Sequence, residues 1–277
     1  MGRIVKIKNK NLTVDTLLRP KLDNVKLLMK KKWDVLFLID GKEGSGKSTL
    51  SFICGWYISE GNLTMDNVCE GTKDAVKKLE RLPDKSVLII DEGSLMFSSK
   101  EVMRKEQQQL IKILNVIRQK LMCLIVVAPS FFDLNKYISV DRSRFLLHVY
   151  TGRKMERGRF SFFGEKRKRI LYGLGKKNYN SYSKPKSNFC GTFSKFDPFG
   201  KKYQELKRRS LMEAFHERKA DEKIPREYVK RIKVPLIYNA MRMLKKKSIT
   251  QQKEVAEIFE INTRTIWEWM KLYKKVK

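Results

Sequence analysis

In GKEGSGKST, residues 41 to 49, Gly41 and Gly46 bracket four residues, and Lys47 and Ser48 follow at once. Glycines let a backbone wrap closely enough for its N–H groups to point at phosphate oxygens. A lysine reaches further along a phosphate chain, and the hydroxyl beside it suits a Mg²⁺ ion. The stretch predicts a phosphate cradle over Gly41, Glu43, Gly44, Ser45, Gly46, Lys47, Ser48 and Thr49, with Ser48 as a metal ligand. The bland alternative is a flexible turn. The surroundings decide, because a cradle must join a buried strand to a helix.

Both neighbours are there. WDVLFLID, 33 to 40, is rich in branched and aromatic residues and reads as a buried strand; STLSFICGWYISE, 48 to 60, reads as a helix. A second chemical element lies some forty residues on, in SVLIIDE, 86 to 92. An apolar strand ending in Asp91 delivers a carboxylate beside the cradle, where it holds Mg²⁺ directly or through water. Glu92 follows and suits a general base that polarises an attacking water. ATP and Mg²⁺ are the expected cofactors, with Lys47, Asp91 and Glu92 as the catalytic set.

The rest of the chain must position these groups. VMRKEQQQLIKILNVIRQK, 102 to 120, is an amphipathic helix pattern; LMCLIVVAPS, 121 to 130, and RFLLHVY, 144 to 150, are further apolar strands. Strands alternating with helices predict an α/β fold, a parallel sheet covered on both faces. Residues 1 to 32 suggest an edge strand and a helix from Val14 to Lys31. RFSFFGEKRKRILYGLG, 159 to 175, reads as a basic β-hairpin turning near Gly164. An extended arm over 176 to 203 and a charged helix over 201 to 223 follow. The expected organisation is a core over 1–150, a basic hairpin, arm and helix over 151–223 that complete it, and a small helical domain over 235–277.

The net charge is +31. Residues 151 to 215 hold 18 basic against 5 acidic residues, the densest excess in the chain. Such a surplus favours an acidic polymer as partner, most simply nucleic acid, and Lys166, Arg167, Lys168 and Arg169 are candidate DNA contacts. Four cysteines and two histidines lack metal-ligand spacing, which argues against a structural zinc site and a disulfide framework. The N-terminus lacks the apolar core of a signal peptide, and no apolar run is long enough to span a bilayer. A soluble, cytoplasmic protein with no membrane partner is expected. Glu156, Glu165, Asp197 and Glu205 show no metal-site spacing, so no DNA cleavage is expected.

QKEVAEIFEINTRTIWEWMKLYK, 252 to 274, has its own pattern. Val255, Ala256, Phe259, Ile261, Ile266 and Trp269 fall at the inward positions of a helix-turn-helix. Thr263 suits the cap of the second helix, which then presents Arg264, Thr265, Glu268 and Lys271 to a major groove. Glu260 departs from the glycine usual in the turn. The alternative is a helical hairpin for protein contacts.

The cradle, and Glu92 directly after Asp91, resemble the additional-strand, catalytic-glutamate branch of P-loop NTPases. The resemblance implies a further strand between the two motif-bearing strands, often ending in a polar residue that senses the γ-phosphate. LIVVAPS supplies such a strand, and Ser130 is either that sensor or a plain turn serine. DEGSLMFSS, IRQK, APSFFDLNKYI and DRSRFLLHVY narrow the resemblance to the FtsK–HerA group of DNA-pumping ATPases, in particular viral packaging and zonula-occludens-toxin-like ATPases, over residues 33 to 150. It implies a homo-oligomeric ring on double-stranded DNA, a viral or mobile-element genome-packaging role in the host cytoplasm or virion, and a capsid, portal or nuclease partner. It also implies an arginine acting on the neighbour's γ-phosphate. Arg142 and Arg144 are preferred among candidates that include Arg153, Arg104 and Arg118. The absence of a spanning segment departs from the filamentous-phage assembly relatives. An ATP-dependent loader or initiator and a nucleotide-switched DNA-binding regulator stay open as alternatives. The basic bias and the Asp91–Glu92 pair argue against a small-molecule kinase.

Overall fold

A computed structural model of the chain describes residues 2–8, 10–70, 72–91, 113–152 and 154–209. The chain divides into two compact units, Met1–Lys207 and Arg208–Lys277. The expected helix-turn-helix lies outside the described residues, as do Glu92 and Arg104.

The first unit opens with an antiparallel pair, β1 (Gly2–Ile7) and β2 (Lys10–Asp15). Helix α1 spans Arg19–Lys30 rather than starting at Val14, which lies in β2. Two features set that start. Pro20 suits the first helical turn. Asp15 Oδ1 accepts the N–H groups of Leu17 and Leu18 at 2.9 and 3.3 Å and folds the chain between strand and helix.

The main sheet has seven strands in the order β4-β5-β6-β3-β7-β8-β9. β3 (Val35–Gly41), β5 (Val87–Asp91), β6 (Cys123–Ala128) and β7 (Phe145–Tyr150) match the apolar runs. β6 pairs in parallel with β3 on one side and β5 on the other. A third strand thus separates the two that end in the cradle and in Asp91. The short β4 (Val68–Glu70) extends the parallel part, and β8 (Arg159–Gly164) and β9 (Phe189–Thr192) add antiparallel strands.

Side chains of the central strands alternate between two cores. Val35, Phe37 and Ile39 of β3 join Val87 and Ile89 of β5 beneath α1 and α2 (Lys47–Ile58). Leu36 and Leu38 join Leu88 and Ile90 on the opposite face, with α3 (Thr72–Arg81), helical residues 113–119 and α4 (Glu165–Lys177). Burial on both faces explains why these strands read as unbroken apolar runs.

The predicted hairpin over 159–175 is a strand followed by a helix. β8 ends at Gly164 and α4 begins at Glu165. The buried face of α4 consists of Lys168, Leu171 and Gly175, at helical spacing but with only one hydrophobic side chain. Lys168 is buried, not a surface cation. Its ammonium donates to the Val140 carbonyl at 3.1 Å and to the carbonyl and hydroxyl of Ser143.

Candidate nucleotide-binding site

β3 delivers the loop and α2 receives it. Gly41, Gly44 and Gly46 take φ of 141°, 71° and 105°, values that L side chains rarely adopt. Gly41 also has no room for one: a Cβ there would lie 2.1 Å from the Val149 carbonyl oxygen. Gly46 caps α2, so the free N–H groups of the first turn and the positive end of the helix dipole open where the loop ends.

Lys47 Nζ bends back over this loop and donates to the carbonyls of Gly41 and Lys42 at 2.8 and 3.0 Å. Burial pushes its pKa below the usual lysine value, against the pull of Asp91, Asp40 and Glu43; nearby Lys207 adds to the lowering. Ser48 Oγ donates to Asp91 Oδ2 at 3.0 Å. The predicted metal ligands, 43 residues apart in sequence, are therefore in direct contact.

A pocket of about 600 Å³ opens here, lined by Glu43, Gly44, Gly46, Lys47, Ser48, Thr49 and Asp91. That volume suits a small-molecule ligand. Two cations not singled out by sequence line it as well, Arg157 and Lys207. Arg157 lies between β7 and β8, beside Gly44. Its neighbour Gly158 accepts the Phe193 N–H at 2.8 Å, and the Phe193 ring lies against Gly46. Lys207 Nζ lies 3.4 Å from Asp91 Oδ2, and the Tyr203 hydroxyl donates to the same oxygen. Nothing local in the sequence announces these groups; Arg157 reaches the loop through the β7–β8 connection, Tyr203 and Lys207 only where the chain returns after β9.

A buried carboxylate next to the loop was also missed. Asp40 precedes Gly41 and is fully buried. It accepts the Phe131 N–H at 2.9 Å and the Tyr182 hydroxyl, and its other oxygen lies 2.9 Å from His148 Nδ1. The His148 and Tyr182 rings stack at 3.7 Å. Burial, then the Asp40 charge, push the Tyr182 phenol up. This cluster ties the end of β6 to β3, β7 and the arm. Ser130 Oγ accepts the Phe132 N–H at 3.2 Å, and its neighbour Pro129 lines the pocket.

Arg142 and Arg144 lie at the opposite edge of the sheet, just before β7. The seven residues of β3 put roughly 20 Å between the two edges. Arg142 pairs with Asp34 at 2.5 Å, and the Arg144 guanidinium lies 5.7 Å from the centre of the Trp33 ring. Both line a separate cleft of about 520 Å³ with Arg118 and Tyr137. The fold does not bring them to this chain's own cradle. Of the other predicted DNA contacts, Lys166, Arg167 and Arg169 are exposed on α4. Arg167 donates to the carbonyls of Lys186 and Ser187, and Arg169 lies 3.3 Å from Glu165. Arg264, Thr265 and Lys271 lie outside the described residues.

The residues fit a Mg²⁺–nucleotide. Ser48 and Asp91 offer the hard oxygen donors that Mg²⁺ takes. Lys47, Arg157, Lys207 and the α2 N-terminus surround the pocket with positive charge. Ser45 Oγ is buried without a hydrogen-bond partner among the described residues.

No family model matches the chain, and no curated protein does. Solved structures with a partly similar fold include the genome packaging NTPase B204 from Sulfolobus turreted icosahedral virus 2 in complex with ATP-gammaS. It is 15% identical at a TM-score of 0.35, over 48% of this chain and 93% of that one. A DNA polymerase III gamma subunit-related protein from Thermotoga maritima is 15% identical at a TM-score of 0.36, over 48% of this chain and 47% of that one. The N-terminal domain of zonular occludens toxin from Neisseria meningitidis is 14% identical at a TM-score of 0.31, over 48% of this chain and 84% of that one. The likeness spans about half of the chain, and residue roles rest on the site's own geometry. Among the described residues no helix is long and apolar enough to cross a membrane. The fold is of the α/β class, a sheet with a parallel core between two helical layers, in which a glycine loop joins β3 to α2.

Proposed function

We propose that the chain is a Mg²⁺-dependent ATPase of the additional-strand branch that works as a motor on DNA, most simply in packaging or moving a viral or mobile-element genome. The observation that carries the ATPase reading is the contact of Ser48 with Asp91 at the mouth of the glycine loop. Lys47 and the N–H groups of the loop bind the phosphates. Ser48 and Asp91 hold the metal, and Arg157 adds charge beside Gly44. Glu92, next to Asp91 in sequence, takes a proton from the attacking water. Mg²⁺ held by Ser48 and Asp91 would supply positive charge to offset the negative charge that develops on the phosphates.

The motor reading is supported by the charge of +31 and by the exposed cations of α4. A ring of copies with double-stranded DNA as track is part of this reading. In this reading Arg142 or Arg144, both far from their own cradle, acts on the γ-phosphate of the neighbouring copy. The helix-turn-helix pattern favours a second reading, an ATP-dependent loader or initiator that binds a particular DNA site. A capsid, portal or nuclease partner belongs to the first reading only.

ATP hydrolysis with and without double-stranded DNA tests both, using wild type, Lys47→Ala and Glu92→Gln. Turnover strongly raised by DNA and abolished by both substitutions is the expected result for a motor. Slow turnover indifferent to DNA points to the loader or switch. Full turnover in Lys47→Ala removes the ATPase reading at this site.

A further inference from the structure

Asp91 Oδ2 receives more donors than a metal ligand can keep. The hydroxyls of Ser48 and Tyr203 donate to it, and Lys207 Nζ lies 3.4 Å away. A carboxylate offers about four lone-pair sites over its two oxygens, so three donors on Oδ2 leave no direction open for a cation on that oxygen. Lys207 carries a positive charge, which opposes a metal ion in the same place. Its contact is the longest of the three, and its side chain is 41% exposed. A flexible four-carbon stem lets the ammonium swing without moving the backbone.

The lysine is presented by an element docked on the cradle's own helix. Tyr203 and Phe199 both pack edge-on against Phe52 of α2, at 4.8 and 5.1 Å. Lys207 lies one helical turn beyond Tyr203, its ammonium 5.2 Å from that ring. It lines the same pocket as Lys47. Two ammonium groups so placed repel each other until an anion lies between them.

We propose that Lys207 is a second phosphate-site lysine, held on Asp91 while no nucleotide is bound and transferred to the phosphate chain when Mg–nucleotide binds. Tyr203 releases the same carboxylate oxygen in that step. This inference rests on the nucleotide reading above and adds to it a residue, and an exchange of partners, on the helix over 201–209. The exchange is purely ionic and moves no covalent bond.

The test is equilibrium binding of a fluorescent Mg–ATPγS to full-length wild type, Lys47→Ala, Lys207→Met and Lys207→Arg, together with the acetylation rate of Lys207 followed by mass spectrometry. Removing one charge-assisted hydrogen bond to the phosphates predicts binding about tenfold weaker in Lys207→Met, with most of the affinity recovered in Lys207→Arg. Saturating Mg–ATPγS should slow acetylation of wild-type Lys207. Lys207→Met binding as tightly as wild type, or tighter, overturns the inference, because the lysine then only competes for Asp91. Weaker binding in Lys207→Met that Lys207→Arg does not recover overturns it too, as a packing effect. If wild type binds and Lys47→Ala does not, the cradle reading stands whatever Lys207 does. If wild type itself fails to bind, both readings fall.

Discussion

Lys168 places a charged group where α4 buries its inner face, and three oxygens of the segment 140–143 receive it. Burial holds its pKa at about 8 rather than 10.5, with Glu165 and Asp141 pulling the other way. The unfolded chain keeps this proton to higher pH than the folded one. Between about 8 and about 10 the unfolded state therefore binds more protons, and stability rises with pH by up to about 1.4 kcal/mol per unit. Chemical denaturation of wild type and Lys168→Met across that window should show the wild type gaining on the variant as pH rises. A constant difference would mean that Lys168 stays charged when folded. Asp40 makes a second residue-scale case. Tyr182→Phe removes one donor to it and leaves the Phe131 N–H and His148 in place. A destabilisation of about 1 kcal/mol is expected, read as a lower denaturation midpoint with an unchanged slope.

Among the elements, the glycine loop and α4 respond oppositely to the same substitution. Gly41→Ala sets a methyl group 2.1 Å from the Val149 carbonyl oxygen at a φ of 141°. β3 and β7 must separate at their carboxyl ends to admit it, so nucleotide binding should vanish and stability fall by roughly 3 kcal/mol. Gly173 lies in the exposed part of α4, and a Cβ there meets nothing. Gly173→Ala should raise stability by about 0.5–1 kcal/mol, measured in the same denaturation experiment. The two glycines also show what the sequence could reveal. Gly41 was legible because its strand, loop and helix are contiguous and each carries a local pattern. β3, α2, β5, β6 and β7 were legible for the same reason, their apolar runs being buried on both faces. α4 was not, because a lysine stem and a glycine fill two of its three inward positions and break the apolar period. The short β4 and the polar α3 lacked enough apolar residues to announce themselves. Arg157, Lys207, Tyr203 and Asp40 could be read from sequence but not assembled; Lys207 reaches Asp91 across 116 residues through a tertiary contact.

For the whole molecule, the charge of +31 makes a statement about salt that separates a phosphate track from a sequence address. Each phosphate neutralised by a lysine or arginine releases counterions, so binding falls with salt at a slope of about −0.9 per contact. A protein that tracks DNA through roughly six such contacts loses about a thousandfold in affinity between about 50 and about 200 mM salt. Base contacts made by a helix in the major groove add discrimination without adding to that slope. Lys166 and Lys177 are exposed on α4, whereas Lys168 between them is buried. The full-length double variant Lys166→Ala, Lys177→Ala should therefore bind DNA of any sequence more weakly, its salt slope shallower by about 2. Lys168→Met removes the same kind of charge from the same helix and should leave the slope unchanged. Titrations of random and defined duplexes over a series of salt concentrations give both slopes. Equal slopes in wild type and the double variant would place the phosphate track away from α4. A strong preference for one duplex that survives the double substitution would shift the balance towards the loader, in which an address on the DNA matters more than a path along it.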